Sequence, residues 1–262
     1  MCRWLTYIGE RTFLDTLLYH PEHSLVRQSL HSSQGTVATN GDGFGIGWYG
    51  ERDVPGIYHE VLPAWNDRNL RSLSHQLAST LFCAHVRASS GTETSRANCH
   101  PFGHRQWLYM HNGEIGGYEC IRRALEAMIP DDLYLHRHGT TDTEAFFLLL
   151  LANGVDDDPI AATQKTVASV LQVMRAHGID APFRMTSTLT DGRHVYALRY
   201  ASDHLPPTLY WWPTTQRLII VSEPLDSDAD HWREVPPSSM LVSSGHGNTA
   251  VVPFHLADAA SA

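Results

Sequence analysis

The order in which strand-like and helix-like segments follow one another along these 262 residues constrains the fold more than any other feature. Residues 3–8 and 43–49 read as strands, with short helices over 13–20 and 23–32 between them. Helical spacing over 69–79 puts Leu70, Leu73 and Leu77 on one face, and strands follow over 81–88 and 106–111, the latter closing in Asn112-Gly113. The middle is helical. One helix is expected over 118–128, a second over 143–153 opened by Thr141 and Glu144 as a capping box, and a long third that Asp158-Pro159 starts and Gly178 stops. The last third returns to strands: 183–190, a hairpin turn at Asp191-Gly192, 193–201, 208–212, 217–222, then short strands to 252. Strands at both ends with helices between them suit two packed sheets covered by helices, whereas pure βαβ alternation does not fit. An α+β domain over 1–255 is expected, with a frayed tail over 256–262.

Composition narrows the function. Nineteen Lys and Arg against 28 Asp and Glu give a net charge of -9, which argues against a broad phosphate-binding face and hence against nucleic acid. The longest strongly apolar run, 145–152, falls far short of the ~20 residues that cross a bilayer, and the start lacks the apolar core of a signal peptide. A cytoplasmic location is expected. Cys2, Cys83, Cys99 and Cys120 show no CxxC spacing, so reduced thiols are the default. Seventeen histidines include no HExxH or helical pair that would organise a metal site, and His136 and His138 fit a solvated polar loop.

Several positions carry chemistry in one reading and only structure in another. Cys2 follows Met1 directly. Removal of that methionine would put a thiol, with a pKa near ~8.5, and an α-amine, at about 7.7–8.0, on one residue, so that nucleophile and base coincide. The plain alternative is an inert thiol. Gly45, Gly47 and Gly50 formally match GxGxxG, but 51–55 (Glu-Arg-Asp-Val-Pro) cannot open the helix that such a loop needs; glycine at alternate positions instead leaves one strand face bare for a close approach. Asn112-Gly113 is a type I′ hairpin signal, or else an oxyanion hole formed by the Asn112 amide and the Gly113 N–H. Arg87 ends an apolar strand, where it either reaches solvent or clamps a carboxylate. Asp142 either favours a helix start or receives a substrate ammonium. Together Arg87 and Asp142 describe recognition of a free amino-acid head.

Met1-Cys2-Arg3, the 42–48 strand Asp-Gly-Phe-Gly-Ile-Gly-Trp, His85-Val86-Arg87, Asn98-Cys99-His100-Pro101-Phe102, His111-Asn112-Gly113 and Thr140-Thr141-Asp142-Thr143-Glu144 occur in the order and spacing of class II glutamine amidotransferases. The chain resembles their short stand-alone branch, which includes the γ-glutamyl hydrolase of ergothioneine biosynthesis and amidotransferase-like subunits of glutathione breakdown. Thr190-Asp191-Gly192 and Ser222-Glu223-Pro224-Leu225 with Trp232 extend the resemblance over nearly the whole chain.

The resemblance implies a four-layer αββα sandwich of two antiparallel sheets, of N-terminal-nucleophile hydrolase type, with Cys2 as nucleophile. Asn112 and Gly113 would form the oxyanion hole, Arg87 the carboxylate clamp and Asp142 the ammonium partner. Ser90, where many relatives carry threonine, would add a substrate contact. Asn98 and His100 match the family and are read as structural. The chemistry needs no metal or organic cofactor. The expected substrate is a small γ-glutamyl metabolite of ergothioneine-pathway type, or glutamine. Delivering ammonia to a product would require a partner synthase, a peptidase subunit is the other partner considered, and a catalytically silent regulatory subunit of the same fold is the remaining alternative.

Overall fold

The computed structural model describes residues 2–34, 39–89, 93–228, 230–245 and 247–256. In chain order its main elements are β1 (Arg3–Phe13), α1 (Asp15–Leu18), α2 (Leu25–Leu30), β2 (Phe44–Trp48), β3 (Gly56–Glu60), α3 (Arg68–Gln76), β4 (Ala78–Val86), β5 (Phe102–His104), β6 (Trp107–Ile115), α4 (Tyr118–Glu126), α5 (Asp131–Tyr134), α6 (Asp142–Ala152), α7 (Pro159–Ala176), β7 (Phe183–Thr190), β8 (Val195–Ala201), β9 (Tyr210–Pro213), β10 (Arg217–Val221), β11 (Arg233–Glu234), β12 (Ser239–Ser243) and β13 (Thr249–Pro253).

Alternation along β1 shows how the layers stack. Leu5 and Tyr7 point to one side, Trp4 and Ile8 to the other, and all four are buried. A strand apolar on both faces must lie in a covered layer. Leu5 and Tyr7 meet Leu14, Leu17, Leu18, Leu25 and Leu70 from the segments of α1, α2 and α3. Trp4 and Ile8 instead meet Leu108 and Met110 of β6 and Leu241 of β12, in the seam between two sheets. The first sheet has the order β11-β9-β10-β1-β4-β2-β3 and the second β13-β12-β8-β7-β6-β5. On the far side of the second, Tyr109, Met185 and Leu198 pack against Ile121, Phe146 and Val170 of α4, α6 and α7. The order of layers is α, β, β, α, as the family resemblance implies. Among the described residues, no helix is long and apolar enough to cross a membrane.

The apolar run over 145–152 lies in α6, where every residue from Thr143 to Leu150 is buried between the second sheet and its helical neighbours. Thr141 caps this helix, its hydroxyl accepting the Glu144 N–H at 3.2 Å. The reciprocal half of the capping box is absent: the Glu144 carboxylate accepts from the N–H groups of His138 and Gly139 at 2.9 and 2.8 Å and pairs with Arg137. Asp158 accepts from the Ile160 and Ala161 N–H groups at 3.0 Å ahead of Pro159.

Two readings of local signals resolve in opposite ways. The alternate glycines of β2 do serve close approach: a Cβ on Gly45 would stand 2.1 Å from the His100 carbonyl oxygen, and one on Gly47 2.8 Å from the Pro101 ring. The Asn112-Gly113 hairpin does not form. β6 runs through both residues to Ile115, because β7 pairs along its whole length, with Asn112 opposite Thr186 and Gly113 opposite Met185. The short elements β3, β5 and α5 carry too few residues for a periodic signal. Of the expected frayed tail, residues 257–262 lie outside the described residues.

Candidate active site

The start of β1 and the middle of β6 meet at one end of the seam between the sheets. Cys2, half-buried just ahead of β1, accepts the Ala88 N–H on its sulfur at 3.3 Å, and its thiol faces the Ala88 carbonyl at 3.5 Å. Burial pushes the thiol above its ordinary pKa; the Ala88 N–H and the positive charges of Arg87 and Arg3 only partly offset this. The group is therefore a protonated thiol at neutral pH and needs a base before it can attack. The Asn112 side-chain N–H donates to the Cys2 carbonyl at 2.7 Å, joining the second sheet to the first. Its Oδ1 is buried with no partner among the described residues.

Gly113 follows with φ of +126°, and a Cβ there would lie 2.0 Å from the Arg184 carbonyl oxygen. Only glycine fits this point of the strand. Two residues on, the Ile115 N–H donates to Asp142 Oδ2 at 2.9 Å, while Oδ1 accepts the Thr143 N–H at 2.8 Å. Asp142 thus opens α6, as its plain reading has it, and ties that helix start to the strand bearing Asn112 and Gly113.

Arg87 does not reach solvent. It is 3% exposed, at the end of β4 next to Ala88. Its guanidinium donates to the Asp42 carbonyl at 3.3 Å, the Ser89 hydroxyl at 3.2 Å and the Glu93 carbonyl at 3.3 Å, and the Ser89 N–H in turn donates to the Asp42 carboxylate at 2.7 Å. Ser90 lies outside the described residues. Asn98 braces the neighbouring loops, accepting the Thr140 N–H at 2.7 Å and donating to the Glu93 carbonyl at 2.9 Å. His100 shares a hydrogen bond of 3.0 Å with His85, and its ring centre lies 6.4 Å from that of His111. Burial drives all three imidazoles below their ordinary pKa, so they stand neutral. The His85–His100 bond and the bonds of Asn98 to Thr140 and Glu93 are consistent with the structural reading of Asn98 and His100. Among the described residues no group of three or more His, Cys, Asp or Glu is arranged to hold a metal ion.

A family model described as glutamine amidotransferases class-II matches residues 21–216. The chain belongs to the class II glutamine amidotransferases. It is 31% identical to a probable glutamine amidotransferase, DUG3, of Saccharomyces cerevisiae over 92% of this chain and 81% of that one. It is 25% identical to a gamma-glutamyl-hercynylcysteine sulfoxide hydrolase of Mycolicibacterium smegmatis, over 92% of this chain and 95% of that one. A solved class-II domain protein from Silicibacter pomeroyi superposes with a TM-score of 0.77 at 35% identity, covering 97% and 99% of the two chains. The glutamine phosphoribosylpyrophosphate amidotransferase of B. subtilis, at 13% identity and a TM-score of 0.68, shares the fold over half its length. The amidotransferase is thus an amide-hydrolysing enzyme with the N-terminal-nucleophile sandwich. The matched segment begins after Cys2.

Sequence reasoning quoted Arg3 and Glu223 within family motifs but gave neither a role beside Cys2 in this amidotransferase. Arg3 is a charged residue opening an otherwise apolar strand, which is a signal; Glu223 lies 220 residues away, and its motif says nothing of a partner. Ala88 contributes only backbone groups, to which a sequence is silent.

Proposed function

We propose that the enzyme hydrolyses the γ-glutamyl amide bond of a small metabolite, with the Cys2 thiol as nucleophile once Met1 has been removed. The observation that carries this reading is the contact between Asn112 and the Cys2 carbonyl, which puts an amide donor beside a thiol whose other neighbour is the segment of buried Arg87. The free α-amine of Cys2 takes the thiol proton, and sulfur attacks the substrate δ-carbonyl. The second N–H of Asn112 and the Gly113 N–H hold the oxyanion. As the tetrahedral adduct collapses, the Cys2 ammonium passes its proton to the leaving nitrogen. Water, deprotonated by the same amine, then attacks the thioester to release glutamate and restore the thiol. Arg87 holds the α-carboxylate, Asp142 the α-ammonium, and Ser90 adds a contact.

The Mycolicibacterium relative, named for hydrolysis of a γ-glutamyl sulfoxide, favours a substrate of ergothioneine-pathway type. The yeast relative, named a probable glutamine amidotransferase, favours a second reading: a glutaminase subunit that supplies ammonia to a separate synthase. Protein whose intact mass begins at Cys2 should be offered glutamine, glutathione and γ-glutamyl hercynylcysteine sulfoxide, with glutamate release as readout. The sulfoxide should turn over fastest. Preference for glutamine moves the assignment to the glutaminase subunit, and undiminished activity with Met1 retained removes the α-amine from the mechanism.

A further inference from the structure

Arg3 is the most deeply buried charge at the site, 1% exposed, and its guanidinium spans two partners. Nε donates to Glu223 Oε2 at 2.8 Å and Nη1 to the Cys2 carbonyl at 2.9 Å, the same oxygen that accepts the Asn112 amide at 2.7 Å. Both lone-pair directions of that carbonyl are taken. Glu223 in turn binds a third segment: Oε1 accepts the Ser33 N–H at 3.0 Å and hydroxyl at 2.7 Å, and Oε2 the Gln34 N–H at 3.1 Å. Burial alone would raise the Glu223 carboxyl; these donors and Arg3 outweigh it and hold the carboxyl below its ordinary value.

We infer that Arg3 and Glu223 are positioning residues, which fix the main-chain carbonyl of the nucleophile so that Asn112 presents its second N–H to the oxyanion. The logic is geometric. An amide nitrogen has two hydrogens at a fixed angle, so anchoring one of them aims the other. Asn112 is anchored on the Cys2 carbonyl, and that carbonyl keeps its direction only if something stiffer holds it. A guanidinium does so because it is planar and pre-organised, and its own direction is set by the carboxylate on its other edge. Glu223 also fastens Ser33 and Gln34 after α2, so the carboxylate that orients Arg3 is itself held by three donors. One carboxylate therefore keeps nucleophile and oxyanion donor in register.

This inference rests on Cys2 being the nucleophile, and the experiment separates the two. Three variants are assayed with the preferred γ-glutamyl substrate: Cys2→Ala, Arg3→Lys and Glu223→Gln. Arg3→Lys keeps the charge but offers a point donor that cannot span both partners; Glu223→Gln keeps the shape and loses the countercharge. Each should lower kcat about ten- to hundredfold, the scale of a catalytic group displaced by less than 1 Å, with KM changed by less than about threefold. Circular dichroism and a cooperative melt establish that both are folded. A chloroacetamide alkylation profile of Cys2 against pH gives a readout free of substrate: in Arg3→Gln, which removes the charge altogether, the midpoint should move up. Wild-type kcat in both folded variants, or losses that only follow the unfolded fraction, overturns the positioning role. Full activity in Cys2→Ala overturns the nucleophile assignment instead.

Discussion

The first sheet brings charge to the site and the second brings backbone. Arg3 and Arg87 are buried cations, held by partners 220 and 45 residues away, so their placement depends on the whole fold being made. In the second half it is main-chain groups that do the holding: the β7 ladder fixes Asn112 and Gly113, the Cys2 carbonyl accepts the Asn112 amide, and the N–H groups of Ile115 and Thr143 hold Asp142. A buried charge fails when its partner is removed, whatever its shape. A backbone site fails when a conformation or a close approach is blocked. Substitutions in the two halves should therefore leave different signatures.

The sharpest way to break the comparison is to remove one end of the substrate head. On the proposed assignment the α-carboxylate belongs to Arg87 at the end of a first-sheet strand and the α-ammonium to Asp142, at the start of the helix tied to the second sheet. A glutaryl amide lacks the ammonium and leaves that carboxylate without its countercharge, though still bonded to the Ile115 and Thr143 N–H groups, so kcat/KM should fall about a hundred- to several-thousandfold, as expected of a site built to bond a substrate N–H. Asp142→Asn should narrow the gap between the two substrates. Similar turnover of both by the wild-type enzyme would leave Asp142 a helix-start acid and nothing more.

Next in size is Asn112→Ala, which removes one oxyanion donor and should cost about 10²–10³ in kcat with a smaller change in KM. A folded variant with unaltered kcat would return Asn112 to an ordinary strand position. Gly113→Ala addresses the backbone itself. With φ of +126° and the Arg184 oxygen 2.0 Å from the new Cβ, the strand must shift, and the strain of such a conformation is about 1–3 kcal/mol before the collision is added. Its melting temperature should fall clearly, in contrast to Asn112→Ala, and an unchanged melt would show that the ladder accommodates a methyl group.

The smallest effect concerns three buried histidines that link the halves. His85 belongs to the first sheet, His111 to the second, and His100 lies beside both. Burial holds all three below their ordinary value, so the unfolded chain binds more protons than the folded one as pH drops below about 6.5. Stability should be full above that pH and decline beneath it, towards the lowered folded values. His100→Gln should flatten the slope of melting temperature against pH between about 5 and 6.5; an unaltered slope would mean that other groups carry it.

Where the sequence spoke clearly, the signal was local and repeated. α6, α7 and β7 each have several turns or alternations and a marked boundary, such as Thr141, Asp158-Pro159 or Asp191-Gly192. β3 and β5 had neither. Asn112-Gly113 misled as a turn because a two-residue signal says nothing about a partner strand, and Thr186 lies more than seventy residues further on. At the site, Cys2, Arg87, Asn112, Gly113 and Asp142 were legible as residue types in a family order. The pairing of Arg3 with Glu223 was not, since it exists only once the first and tenth strands lie side by side. The solvent-reaching alternative for Arg87 failed for a related reason: the carbonyl groups of Asp42 and Glu93 fold over it from loops whose course the sequence does not announce.

The placement of Arg87 at the end of β4 and Asp142 at the start of α6, with the proposed nucleophile and its oxyanion donors at a third point, makes the site handed. Two charged ends and a reacting carbon held at three fixed places admit only one arrangement about the stereocentre that joins them. An L-γ-glutamyl amide can satisfy all three on the proposed assignment. Its mirror image can satisfy any two, and must then turn its hydrogen toward the group it misses. Discrimination between enantiomers would therefore come from the spacing of β4, the seam and the start of α6, which is set by the leucines, tryptophan and methionine packed deep between the sheets and by the bond that ties Asp142 to Ile115.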